Sequence, residues 1–384
     1  MAVKTMKIDP STHSASTGNK KKEAVMSDIF ELMEEGGHEQ VIFSRHAGTG
    51  LKSIVAIHDT TMGPALGGCR MIPYASTEEA LQDALRLSRG MTYKCSLADV
   101  DYGGGKAVII GDPRVDKTPE LFRALGRFIG GLGGRFFTGT DMGTVPEDFV
   151  HAARESSSFA GLPESHGGGG DTSVPTAYGV MQGFQATAQF LWGSKSLKGK
   201  KVAVQGAGKV GEKLISHLVE EGAEVVIADT DVNQVRKLKE RYPNQVATTD
   251  VESIHRQSCD IFAPCAIGGG INDQTIPELD CSAIVGSANN QLAEDRHGEE
   301  LYKRNILYAP DYLVNAGGLI LVADELEGPC RERVMEKTRG IYDILLKIFE
   351  RSVTDDIPTS RAADLLVLER LNKVADLKRI LLGG

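Results

Sequence analysis

A chain of 384 residues, 41% hydrophobic and 25% charged, has the balance of a folded globular protein and is long enough for two domains with separate cores. Its net charge of −9 argues against nucleic acid as a main partner, and no apolar run reaches the roughly 20 residues of a spanning helix, so no membrane role is expected. Six cysteines without CxxC spacing and nine histidines without a zinc-like cluster point to reduced thiols in a cytoplasmic protein and to no metal.

Residues 1–25 lack the apolar core of a secretory signal and read as a polar, disordered leader. Residues 26–35 predict a short amphipathic helix stopped by Gly36 and Gly37, and VIFSR and LKSIVAIHD predict two strands around the turn HAGTG. Residues 61–70, TMGPALGGCR, are broken by glycines and a proline and read as a loop. The pair Gly67 and Gly68 in that loop can offer backbone to a small substrate. Ser76 and Glu79 form an S-x-x-E box that opens a helix leading to Lys94.

The central stretch is MTYKCSLADVDYGGGK, which places Lys94 and Lys106 twelve positions apart with three glycines before the second lysine. Glycines without Cβ atoms allow close packing, and the apolar AVII that follows reads as a buried strand. Lys106 is therefore expected where a glycine loop becomes a strand, confined and near Lys94. Burial and a like charge both disfavour an ammonium, the condition under which a lysine serves as a base near neutral pH. Two solvated lysines on a surface loop are the plain alternative. A phosphate-binding P-loop is excluded, because Val100 stands at its first glycine and Ala107 follows the lysine.

Thr118, Pro119 and Glu120 open another helix to about Gly130. RFFTGTDMGT then carries Asp141 at a strand end, as a turn former or as a catalytic carboxylate. PEDFVHAARES is a short helix, and the glycine-rich residues 156–173 suit a boundary or hinge.

In the second half TAYGVMQGFQATAQFLWG reads as a long buried helix. The strand KVAVQ then runs into Gly206, Ala207, Gly208, Lys209, Val210 and Gly211, a helix follows, and the next strand ends in Asp229, 18 residues after Gly211, with Thr230 beyond it. Gly206 permits the tight turn, Gly208 the approach of a pyrophosphate to the helix N-terminus, and Gly211 close helix packing. Asp229 would accept hydrogen bonds from ribose hydroxyls and repel a 2′-phosphate, so NAD is expected rather than NADP. Three further strands are expected to end near Ala266, Ala288 and Asn315. They place CAIGGG, SANNQ with Asn289 and Asn290, and NAGG at the carboxyl ends of a parallel sheet, to line the nicotinamide half of the site or to serve as simple turns. Beyond Glu325 the chain reads as helical, with the last segment packing back on the N-terminal domain.

GPALGGCRM, GMTYKCSLADVDYGGGKAVIIGDP, TGTDMGT, GSANNQL, YAPDYLVNAGG and VADEL resemble motifs of the glutamate/leucine/phenylalanine/valine dehydrogenase family, from about residue 38 to residue 364. The resemblance implies an α/β protein with two domains and a cleft between them. One is an N-terminal α/β substrate domain, residues 26–160, joined by C-terminal helices at 345–384. The other is a Rossmann-type NAD-binding domain, residues 172–330. It also implies a homo-oligomer and a small-molecule reaction, the reversible NAD-dependent oxidative deamination of an L-amino acid to a 2-oxo acid and ammonium.

In that resemblance Lys106 is the catalytic base, Asp141 shuttles protons, and Lys94 binds the substrate carboxylate with help from Asn290. Thr176 contacts the nicotinamide carboxamide. Gly139 and Leu319, near Val322, match the branch acting on L-phenylalanine, with Gly139 opening room for a ring at the pocket wall. Val145 and Leu321 depart from that branch in being more apolar, which keeps leucine, valine or ring-substituted substrates as rivals. A non-catalytic dinucleotide binder, whose lysines are structural ion-pair partners, is the reading from another class. A 2-hydroxy-acid dehydrogenase would be expected to offer a histidine base, and none of the nine histidines lies in a comparable strand-end loop.

Overall fold

The computed structural model describes residues 28–379, so the expectation of a disordered leader lies outside the described residues. The N-terminal part runs α1 (Ile29–Gly36), β1 (Gln40–His46), β2 (Leu51–Asp59), β3 (Ala65–Ile72), α2 (Thr77–Leu97), β4 (Gly103–Ile110), α3 (Pro119–Gly130), β5 (Phe136–Thr140) and α4 (Pro146–Ala152). Its five strands lie in the order β1-β2-β4-β3-β5. β2 is antiparallel to both β1 and β4, whereas β3 is parallel to both β4 and β5.

The structure differs from the sequence expectation at two places in this sheet. The stretch read as a loop, residues 61–70, supplies most of β3, and all three glycines before Lys106 lie inside β4. Lys106 is thus a mid-strand residue, paired with Ala56 of β2. The cause is tertiary. α2 lies so close on β4 that a Cβ at Gly104 would stand 2.1 Å from Thr92 Oγ1 and 2.5 Å from the Ser88 carbonyl oxygen. Glycine here marks a helix pressed against a strand, not a break in the strand.

α2 begins as its cap signal requires, with Ser76 Oγ accepting from Glu79 N at 3.0 Å. The Glu79 carboxylate closes back on Ala75 N at 2.7 Å, one residue before the expected partner.

A histidine pair ties α1, β2 and α2 together. His58 Nε2 donates to the Gly36 carbonyl at 3.1 Å and its Nδ1 meets Thr92 Oγ1 at 2.8 Å. His38 Nε2 donates to the Leu85 carbonyl at 3.0 Å, and the two rings meet edge to face at 4.9 Å. Burial pushes both imidazoles below the usual value, His58 to about 4. The unfolded chain therefore binds more protons than the folded one between about pH 6.5 and 4, and stability that is full above pH 6.5 is lost as pH falls through that window. For His58 alone the loss reaches about 3 kcal/mol at pH 4. Urea unfolding at pH 7, 6, 5 and 4.5 is expected to give a shallower pH dependence for His58→Gln than for the parent chain; parallel curves would contradict this.

The long helix α5 (Ser173–Trp192) leads into the second sheet. There follow β6 (Lys201–Gln205), α6 (Lys209–Glu220), β7 (Glu224–Ala228), α7 (Val232–Arg241), β8 (Val246–Thr248), β9 (Ile261–Pro264), β10 (Ala283–Ile284), α8 (Arg296–Lys303) and β11 (Leu307–Tyr308). All six strands are parallel, in the order β11-β10-β9-β6-β7-β8, so the winding reverses between β6 and β9. That reversal opens the crevice in which doubly wound sheets bind ligands.

The strand expected to run to Asn315 stops at Tyr308, and α9 (Asp311–Val314) takes its place. Its buried Asp311 carboxylate accepts from Gln291 N at 2.9 Å and Tyr312 N at 2.7 Å, which closes a helical turn where a strand end was expected. α10 (Gly317–Leu326), α11 (Arg331–Arg339), α12 (Ile341–Asp355) and α13 (Thr359–Lys378) complete the described chain. α13 returns to the first domain, where Arg370 donates to the Ser96 carbonyl at 2.6 Å and pairs with Asp99 at 2.6 Å. Among the described residues no helix is long and apolar enough to cross a membrane.

Candidate active site

β4 carries Lys106 into the interior, where its side chain is 7% exposed and its Nζ lies 2.6 Å from Asp141 Oδ2. Asp141 follows β5, two strands away. β3 lies between them and supplies Gly68, at which a Cβ would come within 2.8 Å of Asp141 Cβ and 3.3 Å of Lys106 Nζ. The pair occupies the space a side chain at 68 would take. Gly67 serves the sheet instead, since a Cβ there would stand 1.8 Å from the Gly105 carbonyl oxygen.

The electrostatics differ from the expectation in one respect. An anion, Asp141, meets Lys106; Lys94 is pushed down to about 8, mainly by burial, with Asp311 opposing and Lys106 adding to the shift. Burial alone would raise Asp141, but the charges of Lys106 and Arg70 outweigh it and hold the carboxyl at about 2. Arg70 was not singled out from the sequence. Its Nε lies 3.1 Å from Asp141 Oδ2, and its far side pairs with Asp83 at 2.9 Å.

Lys94, in the last turn of α2, reaches across to the second domain, its Nζ 3.4 Å from Asn289 Oδ1. The same oxygen accepts from Asn315 Nδ2 at 2.8 Å. Asn290, the amide expected near the substrate carboxylate, is exposed and left-handed at φ 51°, so the side chain facing Lys94 is that of its neighbour. Gln291, fully buried, pins this loop by donating to the carbonyls of Gly286 at 2.8 Å and Ala288 at 3.1 Å.

Of the residues expected to shape the side-chain pocket, Leu319 and Val322 lie half-buried on α10. Gly139 needs correction as a direct source of room for a ring: its missing Cβ would point at the Ala160 carbonyl oxygen, 2.8 Å away, so it lets residues 158–161 lie close on β5. Leu321 is buried beneath the glycine-rich linker, 2.7 Å from where a Gly169 Cβ would be. Val145 is 45% exposed at the N-cap of α4.

The dinucleotide fingerprint lies at the crevice. Gly206 turns at φ 101°, and a Cβ there would come 2.9 Å from that of Ala266. Gly208 caps α6, and a Cβ on it would meet nothing within 4 Å. The first turn of α6, with Lys209 and Val210, thus presents N–H groups to open space without a side-chain cap, which fits a pyrophosphate. Gly211 packs on the loop, its missing Cβ directed at the Gly206 carbonyl oxygen from 2.2 Å. At the end of β7, Asp229 Oδ2 accepts from Ala207 N at 2.5 Å, and Oδ1 accepts from Asp231 N at 2.8 Å and from Thr230 Oγ1 at 3.4 Å. Thr176, in the first turn of α5, donates to the Thr172 carbonyl at 2.7 Å and lies against Gly318 of α10.

Residues 38–158 match the family described as Glu/Leu/Phe/Val dehydrogenase, dimerisation domain, and residues 167–339 match Glutamate/Leucine/Phenylalanine/Valine dehydrogenase. Over 357 residues, 93% of this chain and 98% of the other, the sequence is 68% identical to a phenylalanine dehydrogenase of Thermoactinomyces intermedius. Over 344 residues, 90% of this chain and 93% of the other, it is 51% identical to a leucine dehydrogenase of Geobacillus stearothermophilus. The fold is similar to the crystal structure of L-tryptophan dehydrogenase from Nostoc punctiforme, with a TM-score of 0.82 and 43% identity over 90% of this chain and 99% of that one. With both halves matched and relatives aligned over nearly its full length, the chain belongs to the glutamate/leucine/phenylalanine/valine dehydrogenase family.

Proposed function

We propose that this dehydrogenase catalyses the reversible reaction of L-phenylalanine, NAD⁺ and water to phenylpyruvate, ammonium, NADH and a proton. The observation that carries the chemistry is the buried Lys106–Asp141 contact at 2.6 Å. The choice of phenylalanine is supported by 68% identity to a phenylalanine dehydrogenase against 51% to a leucine dehydrogenase.

Residues 206–211, Asp229 and Thr176 hold the dinucleotide, which supplies the acceptor for the hydride leaving the substrate Cα. Lys94, which Asn289 of the second domain faces at 3.4 Å, holds the substrate carboxylate and so orients the amino-bearing carbon. Asp141 takes a proton from the substrate ammonium, freeing the nitrogen lone pair to form the iminium as the C–H bond breaks. Lys106 takes a proton from the water that adds to the iminium carbon. The carbinolamine collapses when Asp141 returns a proton to nitrogen and the C–N bond breaks. The departing ammonia takes up the hydroxyl proton as the ketone forms and leaves as ammonium, and Lys106 releases its proton to solvent as the proton of the overall reaction. The short Nζ–carboxylate contact gives these protons a direct path between the two residues.

Rates of NAD reduction with L-phenylalanine, L-tyrosine, L-leucine, L-valine and L-glutamate test this reading. kcat/KM is expected to be at least about 10-fold higher for phenylalanine than for leucine, the scale on which apolar pockets discriminate. A preference for leucine or valine would retain the chemistry and overturn the substrate. No reduction with any of them would favour a dinucleotide binder without catalysis.

The cofactor assignment has its own test. Asp229 offers a negative charge where NADP would place a 2′-phosphate, so Asp229→Ser is expected to lower the NAD/NADP ratio of kcat/KM by about 10-fold or more. An unchanged ratio would remove Asp229 from that role. The match of residues 38–158 to a dimerisation domain supports a homo-oligomer, and six free cysteines support a cytoplasmic location.

A further inference from the structure

We propose that Arg70, braced by Asp83, is a positioning residue that turns the Asp141 carboxylate so that Oδ2 faces Lys106 and Oδ1 is left to the substrate. This rests on the reading of Lys106 and Asp141 as the catalytic pair.

Lys106 Nζ at 2.6 Å and Arg70 Nε at 3.1 Å both meet Oδ2 of Asp141. Among the described residues no side-chain partner falls on Oδ1, and the other protein group that meets the carboxylate is the backbone N–H of Met142. Two cations on one oxygen fix the rotation of a carboxylate about its Cβ–Cγ bond in a way that a single lysine does not. Arg70 stands two residues after Gly68 on β3, so the strand that opens the space for the pair also supplies the clamp.

The clamp is itself held. Arg70 Nη1 lies 2.9 Å from Asp83 Oδ2, which also accepts from Tyr74 Oη at 2.7 Å, and Asp83 Oδ1 accepts from Arg86 at 2.7 Å. Asp83 and Lys94 belong to the same helix, α2. One helix therefore carries the lysine assigned to the substrate carboxylate and the brace for the proton-transfer carboxylate. Arg70 and Asp83 are 15% and 14% exposed, so solvent screening of their contact is limited. The charged and titratable groups facing Asp141 are Lys106 from β4, Arg70 and Cys69 from β3, Lys94 from α2, and Tyr74 just after β3.

The test uses Arg70→Gln, Arg70→Lys and Asp83→Asn in the full chain, with kcat and KM for L-phenylalanine measured from pH 6 to 11 and NADH binding followed by fluorescence. Removing the cation favours the protonated forms of both neighbouring groups. Arg70→Gln is therefore expected to lower kcat about 100-fold and to move the acid limb of the kcat profile up by roughly 0.5–1 pH unit. Arg70→Lys keeps the charge but not the two-sided fork, so its limb is expected to stay in place while kcat falls about 10-fold. Asp83→Asn is expected to lower kcat by several fold, with KM and NADH binding close to those of the parent. An Arg70→Gln enzyme whose kcat is within about twofold of the parent and whose acid limb does not move would overturn the proposal, and so would a kcat loss that only follows thermal stability. If Arg70→Gln does not fold, unchanged kcat in Asp83→Asn and Arg70→Lys would overturn it. Lys106→Ala in the same assay separates the two readings. Retained deamination there would sink the catalytic pair itself, whereas an inactive Lys106→Ala beside a normal Arg70→Gln would sink the clamp alone.

Discussion

Lys106→Ala is expected to lower kcat for L-phenylalanine oxidation by about 10³-fold or more, near the upper range for removal of a positioned proton-transfer group. The reason lies in its burial. With the Lys106 side chain 7% exposed and its Nζ 2.6 Å from Asp141, bulk water has little access to replace the ammonium or its free base. The fold is expected to survive, because Asp141 keeps Arg70 as a partner at 3.1 Å and is not left as an uncompensated buried charge. NADH binding should be unchanged, since the glycine loop and Asp229 belong to the other domain. Single-turnover rates and NADH titration check both points. A variant that retains a tenth of the parent kcat would show that another group supplies the base.

How far the sequence revealed this site depends on how local each signal is. The dinucleotide half was legible because strand, glycine turn, helix and terminal acid all fall within residues 201–229, where each constrains the next. The first half was less so. Gly67, Gly68 and Gly103–Gly105 read as loop residues because glycine punctuates a chain that nothing packs against, whereas here α2 and neighbouring strands press on them. Arg70 gave no signal, because its meaning comes from Asp141 and Asp83, one on another strand end and one on a helix. Asn289 and Asn290 could not be separated from sequence, since a single left-handed residue decides which amide faces Lys94. The third strand end failed for a similar reason: the polar contacts of Asp311 turn the backbone after Tyr308, and apolar periodicity does not report them.

Gly68→Ala is expected to lower kcat by about 100-fold with the fold and NADH binding retained, the scale of loss that follows from moving a catalytic group by about 1 Å. The added Cβ would lie 2.8 Å from Asp141 Cβ, 2.9 Å from the Thr140 carbonyl oxygen and 3.3 Å from Lys106 Nζ. The first two belong to or adjoin the backbone of β5 and yield little. The flexible end of Lys106 yields most, so the methyl group parts the ion pair before it parts the sheet. Gly90→Ala provides the contrast, because Gly90 lies within α2 and a Cβ there would meet nothing within 4 Å. That variant should keep its kcat and gain about 0.5–1 kcal/mol from the better helix former. The same chemical change thus separates a glycine needed for space at the reacting groups from one that is not. A Gly68→Ala enzyme with kcat within about threefold of the parent would mean that the pair tolerates displacement, and that the 2.6 Å contact is not what sets the rate.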